Sequence, residues 1–164
     1  MKAKLLLLFV LFVMAVTVYA QTKDGTSSKL SIGGMIGLPS DDMSTGYNFA
    51  YGVDLKAEFG IVPKLALTIS AGYLDWAAKS GYGGSNGMIP ALGGLKYYFS
   101  DKVYGSAEAG LTFSTNSGGG NVFTFAPGLG YKFTDKFDIL IKYQDATKYG
   151  FSMSYLGLRA GLTF

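Results

Sequence analysis

A strict two-residue alternation is the feature of this sequence that most restricts its fold. Between Tyr47 and Phe59 every second residue is apolar, and the residues between them include Asp54, Lys56 and Glu58. Successive side chains of a strand point to opposite sides, so the segment predicts a strand with one apolar and one charged face. Seven further segments repeat the period, the first more weakly, near residues 30–38, 64–73, 94–99, 103–113, 123–133, 137–144 and 156–164. The pattern predicts eight strands.

The connections between these strands alternate between short and long. The short ones are Gly60–Lys64, Ser100–Lys102 and Thr134–Lys136, and the last two share a Ser/Thr-Asp-Lys sequence that favours tight turns. The long connections are rich in Gly, Ser and Asn and fall at Pro39–Thr45, Asp75–Gly87, Thr115–Asn121 and Asp145–Phe151. Bacterial outer-membrane barrels have short periplasmic turns and longer external loops. An even strand number then predicts both ends of the barrel on the periplasmic side.

Charged residues in the middle of the strands decide which face points outward. They comprise four acids and five bases, namely Asp54, Lys56, Glu58, Lys96, Glu108, Lys132, Asp138, Lys142 and Arg159. A basic residue on the lipid face near the bilayer midplane costs about 2–4 kcal/mol, so we expect all nine to face a narrow lumen as a salt-bridged network. A soluble barrel or sandwich is the alternative, and it would need nine buried charges or an apolar, aromatic exterior.

Aromatic residues cluster at both ends of the strands. We expect two rings that match the two lipid headgroup levels, with an aliphatic belt between them. On the short-turn side these are Phe59, Tyr97, Phe99, Tyr131, Phe133, Phe137 and Phe164. On the long-loop side they are Tyr47, Phe49, Tyr73, Trp76, Phe113, Phe123 and Tyr143.

The first twenty residues are typical of a secretory signal peptide. Lys2 and Lys4 precede an apolar run over Leu5–Val18, and Val18 and Ala20 are small residues suited to cleavage before Gln21. The predicted organisation is a signal peptide over 1–20, a short periplasmic segment over 21–28 and the barrel over 29–164. A membrane-anchoring helix is the alternative for the first segment, although the run is short for a membrane span.

With these features, the chain resembles the small outer-membrane protein β-barrel family, which includes the OmpA barrel domain and OmpX- and OmpW-like proteins. The resemblance covers roughly residues 29–164 and rests on the strand pattern, the Ser/Thr-Asp-Lys turns and the final alternation. It implies an all-β, eight-stranded, antiparallel up-and-down transmembrane barrel in the outer membrane. It also implies that the barrel-assembly machinery recognises the terminal residues Leu158, Ala160, Leu162 and Phe164. The alternative for Phe164 is a simple role in the aromatic ring.

Several kinds of chemistry are excluded or disfavoured. The sequence has no His and no Cys, which excludes disulfides, zinc sites and Ser-His or Cys-His nucleophilic pairs, and no cofactor is predicted. The formal net charge is +3, and removal of a segment containing Lys2 and Lys4 leaves +1, which gives no basis for nucleic-acid binding. Asp41 and Asp42 predict a solvated loop, with weak calcium binding as the alternative.

The functional prediction is a non-enzymatic, monomeric outer-membrane barrel with a structural or surface-interaction role. Its partners would be outer-membrane lipid, the assembly machinery and external ligands that contact the loops. One alternative is a narrow porin or a channel for small or hydrophobic solutes, as OmpW-like proteins imply. A second is a lipid-modifying enzyme, which the lack of an imidazole base disfavours.

Overall fold

Eight strands close into an antiparallel up-and-down barrel. The computed structural model describes residues 28–81, 84, 86–116, 119–148 and 151–164, so the predicted signal peptide and most of the segment after it lie outside the described residues. Around the barrel the strands follow the order β1-β10-β7-β6-β5-β4-β3-β2. They are β1 Ser28–Ser40, β2 Tyr47–Val62, β3 Leu65–Ala78, β4 Asn86–Tyr98, β5 Val103–Ser114, β6 Asn121–Lys132, β7 Phe137–Gln144 and β10 Ser154–Thr163.

Small elements decorate the end that carries the long connections, which we call the loop end. The short helix α1 spans Met43–Gly46, and β8 (Thr147–Lys148) pairs with β9 (Phe151–Ser152) as a separate hairpin. The opposite end, with the tight turns, is the turn end. Among the described residues no helix is long and apolar enough to cross a membrane.

The predicted orientation of the faces is confirmed. Along β1, Ser31, Gly33, Met35 and Gly37 are buried, whereas Ile32, Ile36 and Leu38 between them are exposed on the outer wall. The other strands repeat this alternation, and most of the large exposed apolar side chains lie on the outer wall of the barrel. Because slipping one residue would turn charged side chains outward, the lipid-facing pattern specifies the register.

The two Ser/Thr-Asp-Lys turns form as the sequence predicts, whereas of the turn expected over Gly60–Lys64 the first three residues belong to β2. Ser100 Oγ accepts hydrogen bonds from the backbone nitrogens of Lys102 at 3.3 Å and Val103 at 3.1 Å. Thr134 Oγ1 accepts equivalent bonds from Lys136 at 3.2 Å and Phe137 at 3.0 Å. Each hydroxyl oxygen therefore accepts hydrogen bonds from turn N–H groups that have no partner in the neighbouring strand.

One predicted loop is much too long. The connection expected over Asp75–Gly87 is strand up to Ala78 and again from Asn86. In β4, directly after this connection, both faces are apolar: Met88 and Leu92 point inward while Ile89 points outward. The contrast between the two faces, on which strand prediction depends, is therefore missing.

Three inward glycines sit against the backbone of the neighbouring strand. A Cβ atom at Gly52, Gly94 or Gly110 would lie only 2.1, 2.1 and 2.2 Å from the carbonyl oxygens of Tyr73, Ala107 and Ala91. A crowded lumen is one reason for small residues on the inner face of a narrow barrel. At these positions the contact is instead with the wall itself, where neighbouring strands of the narrow barrel approach each other closely.

Two prolines interrupt the hydrogen-bond ladder. In β6–β7 the pairs run from Lys132↔Asp138 to Gly128↔Lys142, and the same register resumes only at the bridge Phe125↔Asp145. Continuing that register places Pro127 opposite Tyr143. In β3–β4 the pairs between Ala71↔Ala91 and Leu74↔Met88 are likewise missing, next to Pro90. Proline has no N–H to donate, so each gap follows from the residue type.

Candidate functional site: the barrel interior and its outer mouth

The interior at mid-height and toward the turn end is charged. All nine charged residues singled out in the sequence lie on the inner parity of their strands, and seven of them are buried. Glu58 and Lys132 are partly buried. Closure of the barrel therefore brings the charged inner faces of separate strands into one lumen.

The centre of this lumen holds two ion pairs that join distant strands. Arg159 Nε on β10 donates hydrogen bonds to Asp54 Oδ1 and Oδ2 on β2, at 2.8 and 2.9 Å. Lys56 Nζ is 3.1 Å from both carboxylate oxygens of Glu108, across the barrel on β5. Arg159 also donates to Ser31 Oγ at 3.1 Å. These bonds link four strands across the lumen.

A second group lies nearer the turn end. Glu58 accepts bonds from Lys96 Nζ at 2.8 Å and from the Tyr98 hydroxyl at 2.7 Å. The Tyr104 hydroxyl donates to Asp138, and the Lys96 ammonium lies 3.9 Å from the centroid of the Tyr104 ring. Tyr98 and Tyr104 are partners that the sequence placed on the inner face without assigning them a role. Their hydroxyl groups satisfy buried carboxylates, as a polar lumen requires.

Three of the nine charged residues do not bond with another member of the set, and Asp138, which accepts from Tyr104, is the first of them. Lys132 Nζ lies 3.3 Å from Asp135, whose side chain is 99 % exposed in the β6–β7 turn. Lys142 Nζ donates to Gln144 Oε1 at 3.1 Å, and the Tyr155 hydroxyl donates to the same oxygen at 2.9 Å. The charged residues thus share one lumen, but neutral Gln and Tyr side chains complete their hydrogen bonding.

Toward the loop end the interior becomes apolar. Its buried members, which we call the outer-half cluster, are Met35, Met43, Ala50, Leu74, Trp76, Met88 and Tyr155. Trp76 was predicted to lie in the lipid-facing aromatic ring, and this was wrong, because Trp76 is fully buried inside the barrel. Tyr47, predicted for the same ring, is partly buried and packs against the outer-half cluster. Trp76 lies on the same inner face of β3 as Leu74. A buried indole is stable there because its N–H finds a hydrogen-bond partner.

The outer-half cluster is built around Trp76. Its ring packs edge-on against Tyr155 and Tyr47, with centroids 5.6 and 5.8 Å apart, and its Nε1 donates to Met88 Sδ at 3.4 Å. Met43 of α1 inserts from above and is 2 % exposed. The short helix therefore covers this side of the barrel.

The aspartates of the first loop bond to the fourth loop and to β7. Asp42 Oδ2 accepts a bond from the Ser152 backbone nitrogen at 2.9 Å, and Asp41 Oδ2 accepts one from the Tyr143 hydroxyl at 3.3 Å. Both aspartates are exposed, as expected for a loop, but Asp42 also links the first loop to the fourth and Asp41 links it to β7. Among the described residues no three His, Cys, Asp or Glu side chains are grouped as a metal site would require.

Asp145, just beyond β7, is a further anchor of the fourth loop. Its Oδ1 accepts bonds from the Ser154 hydroxyl at 2.6 Å and the Thr147 hydroxyl at 2.8 Å. These bonds, that from Ser154 above all, lower the pKa of the Asp145 carboxyl below its ordinary value.

A cavity of about 410 Å³ opens at the loop end beside the outer-half cluster. We call it the mouth cavity. It lies between the ends of β4, β5 and β6, and its lining is Asn86, Met88, Thr112, Ser114, Asn116, Gly119, Gly120, Asn121, Val122 and Met153. The sequence predicted a strand position for Thr112 and loop positions for Asn86, Asn116 and Asn121, but no cavity, because amides and hydroxyls at such positions carry no pattern that predicts one.

A closed eight-stranded barrel with an apolar outer belt and a charged interior defines an outer-membrane β-barrel protein. The chain belongs to the family described as the outer membrane protein beta-barrel domain, which its sequence matches over residues 7–164. No curated protein sequence matches the chain.

Solved barrels of this class have similar folds. The attachment invasion locus protein Ail of Yersinia pestis is 17 % identical with a TM-score of 0.60, covering 87 % of this chain and 100 % of that one. The N-terminal barrel domain of Pseudomonas aeruginosa OprF is 14 % identical with a TM-score of 0.59, covering 83 % and 97 %. A de novo designed transmembrane β-barrel is 15 % identical with a TM-score of 0.56, covering 83 % and 95 %. At these identities the likeness concerns the fold alone.

Proposed function

We propose that this protein is a non-enzymatic, monomeric outer-membrane barrel that is closed to solutes and presents its loops at the cell surface. The observation that carries the proposal is the filled interior. Ion pairs and Tyr and Gln hydrogen bonds occupy the lumen, and the outer-half cluster follows above them. The cavity found within the charged part measures only about 20 Å³. That is room for about one water molecule.

The energetics of opening support a closed state. A solute path would have to separate Arg159 from Asp54 or Lys56 from Glu108. Leaving one charge of a buried pair without its partner costs about 3–5 kcal/mol. It would also have to displace Trp76 and Tyr155 from their edge-on packing. The alternative of a narrow porin or a channel for hydrophobic solutes requires both movements.

Planar-bilayer conductance tests the closed state. Purified, folded protein should give no discrete stable openings in about 1 M salt, where an added general porin serves as the positive control. Discrete, reproducible openings would replace the structural proposal with the channel. Lipid analysis of membranes after overexpression tests the enzymatic alternative, and we expect an unchanged lipid profile.

Export and assembly are part of the same proposal. We propose cleavage of residues 1–20, so the mass of the membrane-bound protein should correspond to a chain that begins at Gln21. An intact N-terminus would favour the anchoring helix instead.

We also propose that the alternating end of β10, formed by Leu158, Ala160, Leu162 and Phe164, is the assembly signal. Leu158, Leu162 and Phe164 are all exposed on the outer wall. Phe164→Ser should reduce the amount of folded protein in the membrane more than Phe133→Ser, which also removes an exposed aromatic. Equal effects would leave Phe164 as a ring aromatic only.

A further inference from the structure

The mouth cavity is much larger than the cavity in the charged part of the lumen. It measures about 410 Å³ against about 20 Å³ for the cavity in the charged lumen. Ligand sites generally have volumes of about 300–1,000 Å³. The cavity therefore has the size of a site for a small molecule.

Side chains at the inner side of the mouth cavity are fixed by hydrogen bonds. Thr112 and Thr124, both buried, share a hydrogen bond of 2.7 Å between their hydroxyl oxygens. Met88, also in the lining, is held by the Trp76 indole nitrogen. The cavity thus opens toward the loop end and ends at the outer-half cluster, which is the shape of a binding pocket rather than of a channel.

Its chemistry is polar and uncharged. Carboxamides at Asn86 and Asn116 and hydroxyls at Thr112 and Ser114 supply donors and acceptors, while Met88 and Val122 supply apolar surface. No Asp, Glu, Lys or Arg is among the described residues that line it. This contrasts with the lumen below, where seven charged side chains are buried.

Hydrogen bonds between the β5–β6 loop and the start of β4 organise the rim of the mouth cavity. Asn116 Nδ2 in the β5–β6 loop donates to Asn86 Oδ1 at the start of β4, at 3.0 Å. The Thr115 hydroxyl donates to the Gly87 carbonyl at 2.9 Å. Gly120 has φ +67°, a conformation that favours glycine and turns the chain back into β6. The loop is thus tied to β4, and the two amides stand together at the cavity edge.

We propose that the mouth cavity binds a neutral saccharide of one or two rings. A charged ligand would be desolvated without a counter-charge, and a purely apolar one would exclude water from the amide groups of Asn86 and Asn116 that their mutual bond leaves over, and both are costly. A saccharide offers many hydroxyls for the amides and C–H surface for Met88 and Val122. The proposal rests on the proposed function, because it requires the loop end to face the cell exterior, where free saccharides and glycolipid sugars are found.

Saturation-transfer difference NMR on the folded protein in detergent micelles tests this. The probes are maltose, lactose and diacetylchitobiose, with glucose 6-phosphate as the charged comparator. A second arm uses a neutral glycolipid in bicelles, which separates a lipid-linked sugar from a free one. We expect saturation transfer to at least one neutral probe in one of the arms and none to glucose 6-phosphate.

Variants locate the site. Ser114→Phe should fill the cavity and weaken binding by at least about ten-fold, whereas Ser80→Phe, the same change in an exposed loop, should not. Asn86→Ala with Asn116→Ala removes the amides without adding bulk and should weaken binding comparably, and heat-modified gel mobility checks that each variant folds.

Binding in either arm that Ser114→Phe or the double Ala variant abolishes supports the proposal. Absence of binding to every neutral probe in both arms overturns it, as does binding that both cavity variants leave intact or that the charged probe matches. Because conductance is measured separately, a silent barrel without saccharide binding would overturn this inference while leaving the proposed function in place.

Discussion

Arg159 and Asp54, which are 105 residues apart in the chain, form a two-bond pair inside the barrel through Arg159 Nε and both Asp54 oxygens. Both side chains are at most 6 % exposed. Arg159→Ala leaves a buried carboxylate without its partner, so we expect the free energy of unfolding to fall by about 3–5 kcal/mol. Equilibrium urea unfolding in lipid vesicles measures the loss.

The matched control is the pair between Lys132 and Asp135, in which Asp135 is almost fully exposed. Exposed pairs contribute about 0–1 kcal/mol, so Asp135→Ala should change the free energy of unfolding little. If Arg159→Ala costs no more than Asp135→Ala, the central pair does not stabilise the barrel. Neither variant should create conductance or enzymatic activity.

Adjacent glycines in β1 offer a sharper test of how tightly this pair is packed. A Cβ atom at Gly33 would lie 2.4 Å from Arg159 Nε and 2.6 Å from Asp54 Oδ1, whereas one at Gly34 would meet nothing within 4 Å. Gly33→Ala should therefore displace the ion pair and destabilise the barrel by roughly 1–3 kcal/mol, the usual cost of overpacking.

Gly34→Ala is the control, because it adds the same methyl group to the same strand but on the outer wall. We expect it to be neutral or slightly stabilising, since alanine restricts the unfolded chain. Urea unfolding of the two variants side by side measures the difference. Equal effects would mean that Arg159 and Asp54 can move aside without loss.

The position of Trp76, the only tryptophan in the sequence, can be tested by fluorescence. A buried indole bonded to Met88 should emit at short wavelength and be quenched weakly by lipids brominated along their acyl chains. Trp76→Phe with Phe123→Trp moves the indole to an exposed site on the outer wall, and its emission should be quenched strongly. Strong quenching of the unmodified protein would return Trp76 to the lipid-facing ring.

The outward face and the number of strands were predictable because each strand carries its own evidence. Nine charges on one parity and aliphatic or aromatic residues on the other leave one register that avoids charged side chains in lipid. The inward position of Trp76 did not follow from the same polarity rule. Near the loop end the inner face is apolar as well, so parity, rather than polarity, indicates the interior there.

The partners of the charged residues could not be derived either. Asp54 meets Arg159 only because β1 brings β2 and β10 together when the barrel closes. That contact depends on the register of three strands, and no single strand encodes it. The same limit applies to the mouth cavity, whose lining comes from three strands and two loops.

Because of Pro127, the β6–β7 hydrogen-bond ladder should open more easily near the loop end than near the turn end. Phe125 and Asp145 exchange two backbone bonds at 2.9 and 2.8 Å, so two residues further along, Pro127 would donate the next bond to β7 if it had an N–H. Pro127→Val restores that donor and should add about 0.5–1.5 kcal/mol to the free energy of unfolding.

Hydrogen exchange followed by NMR locates the effect of Pro127. In the unmodified protein the Asp145 amide should exchange faster than those of Ile139 and Ile141, which lie in the continuous ladder. Pro127→Val should slow exchange at Asp145 and leave Ile139 unchanged. Pro90→Val is a second test, since β3–β4 has the same gap. Uniformly slow exchange across the seam would contradict this account.

The Asp145 carboxylate should make the order of the fourth loop depend on pH. Because hydrogen bonds from Ser154 and Thr147 lower its folded-state pKa, the stabilisation is fully present above the unfolded pKa of about 3.9 and is lost as pH falls through the folded value. The midpoint of the Asp145 carboxyl carbon shift in an NMR titration should lie below that of an unfolded peptide. Ser154→Ala with Thr147→Val should return this midpoint toward the ordinary value.

A hydrogen bond in the fourth loop gives a second test. The Met153 amide donates to the Ala146 carbonyl at 3.1 Å, and we expect this bond to be lost in acid. In Asp145→Asn the bond should no longer depend on pH. A midpoint at or above the unfolded value, or an unchanged one in the double variant, would contradict the anchoring role of Asp145.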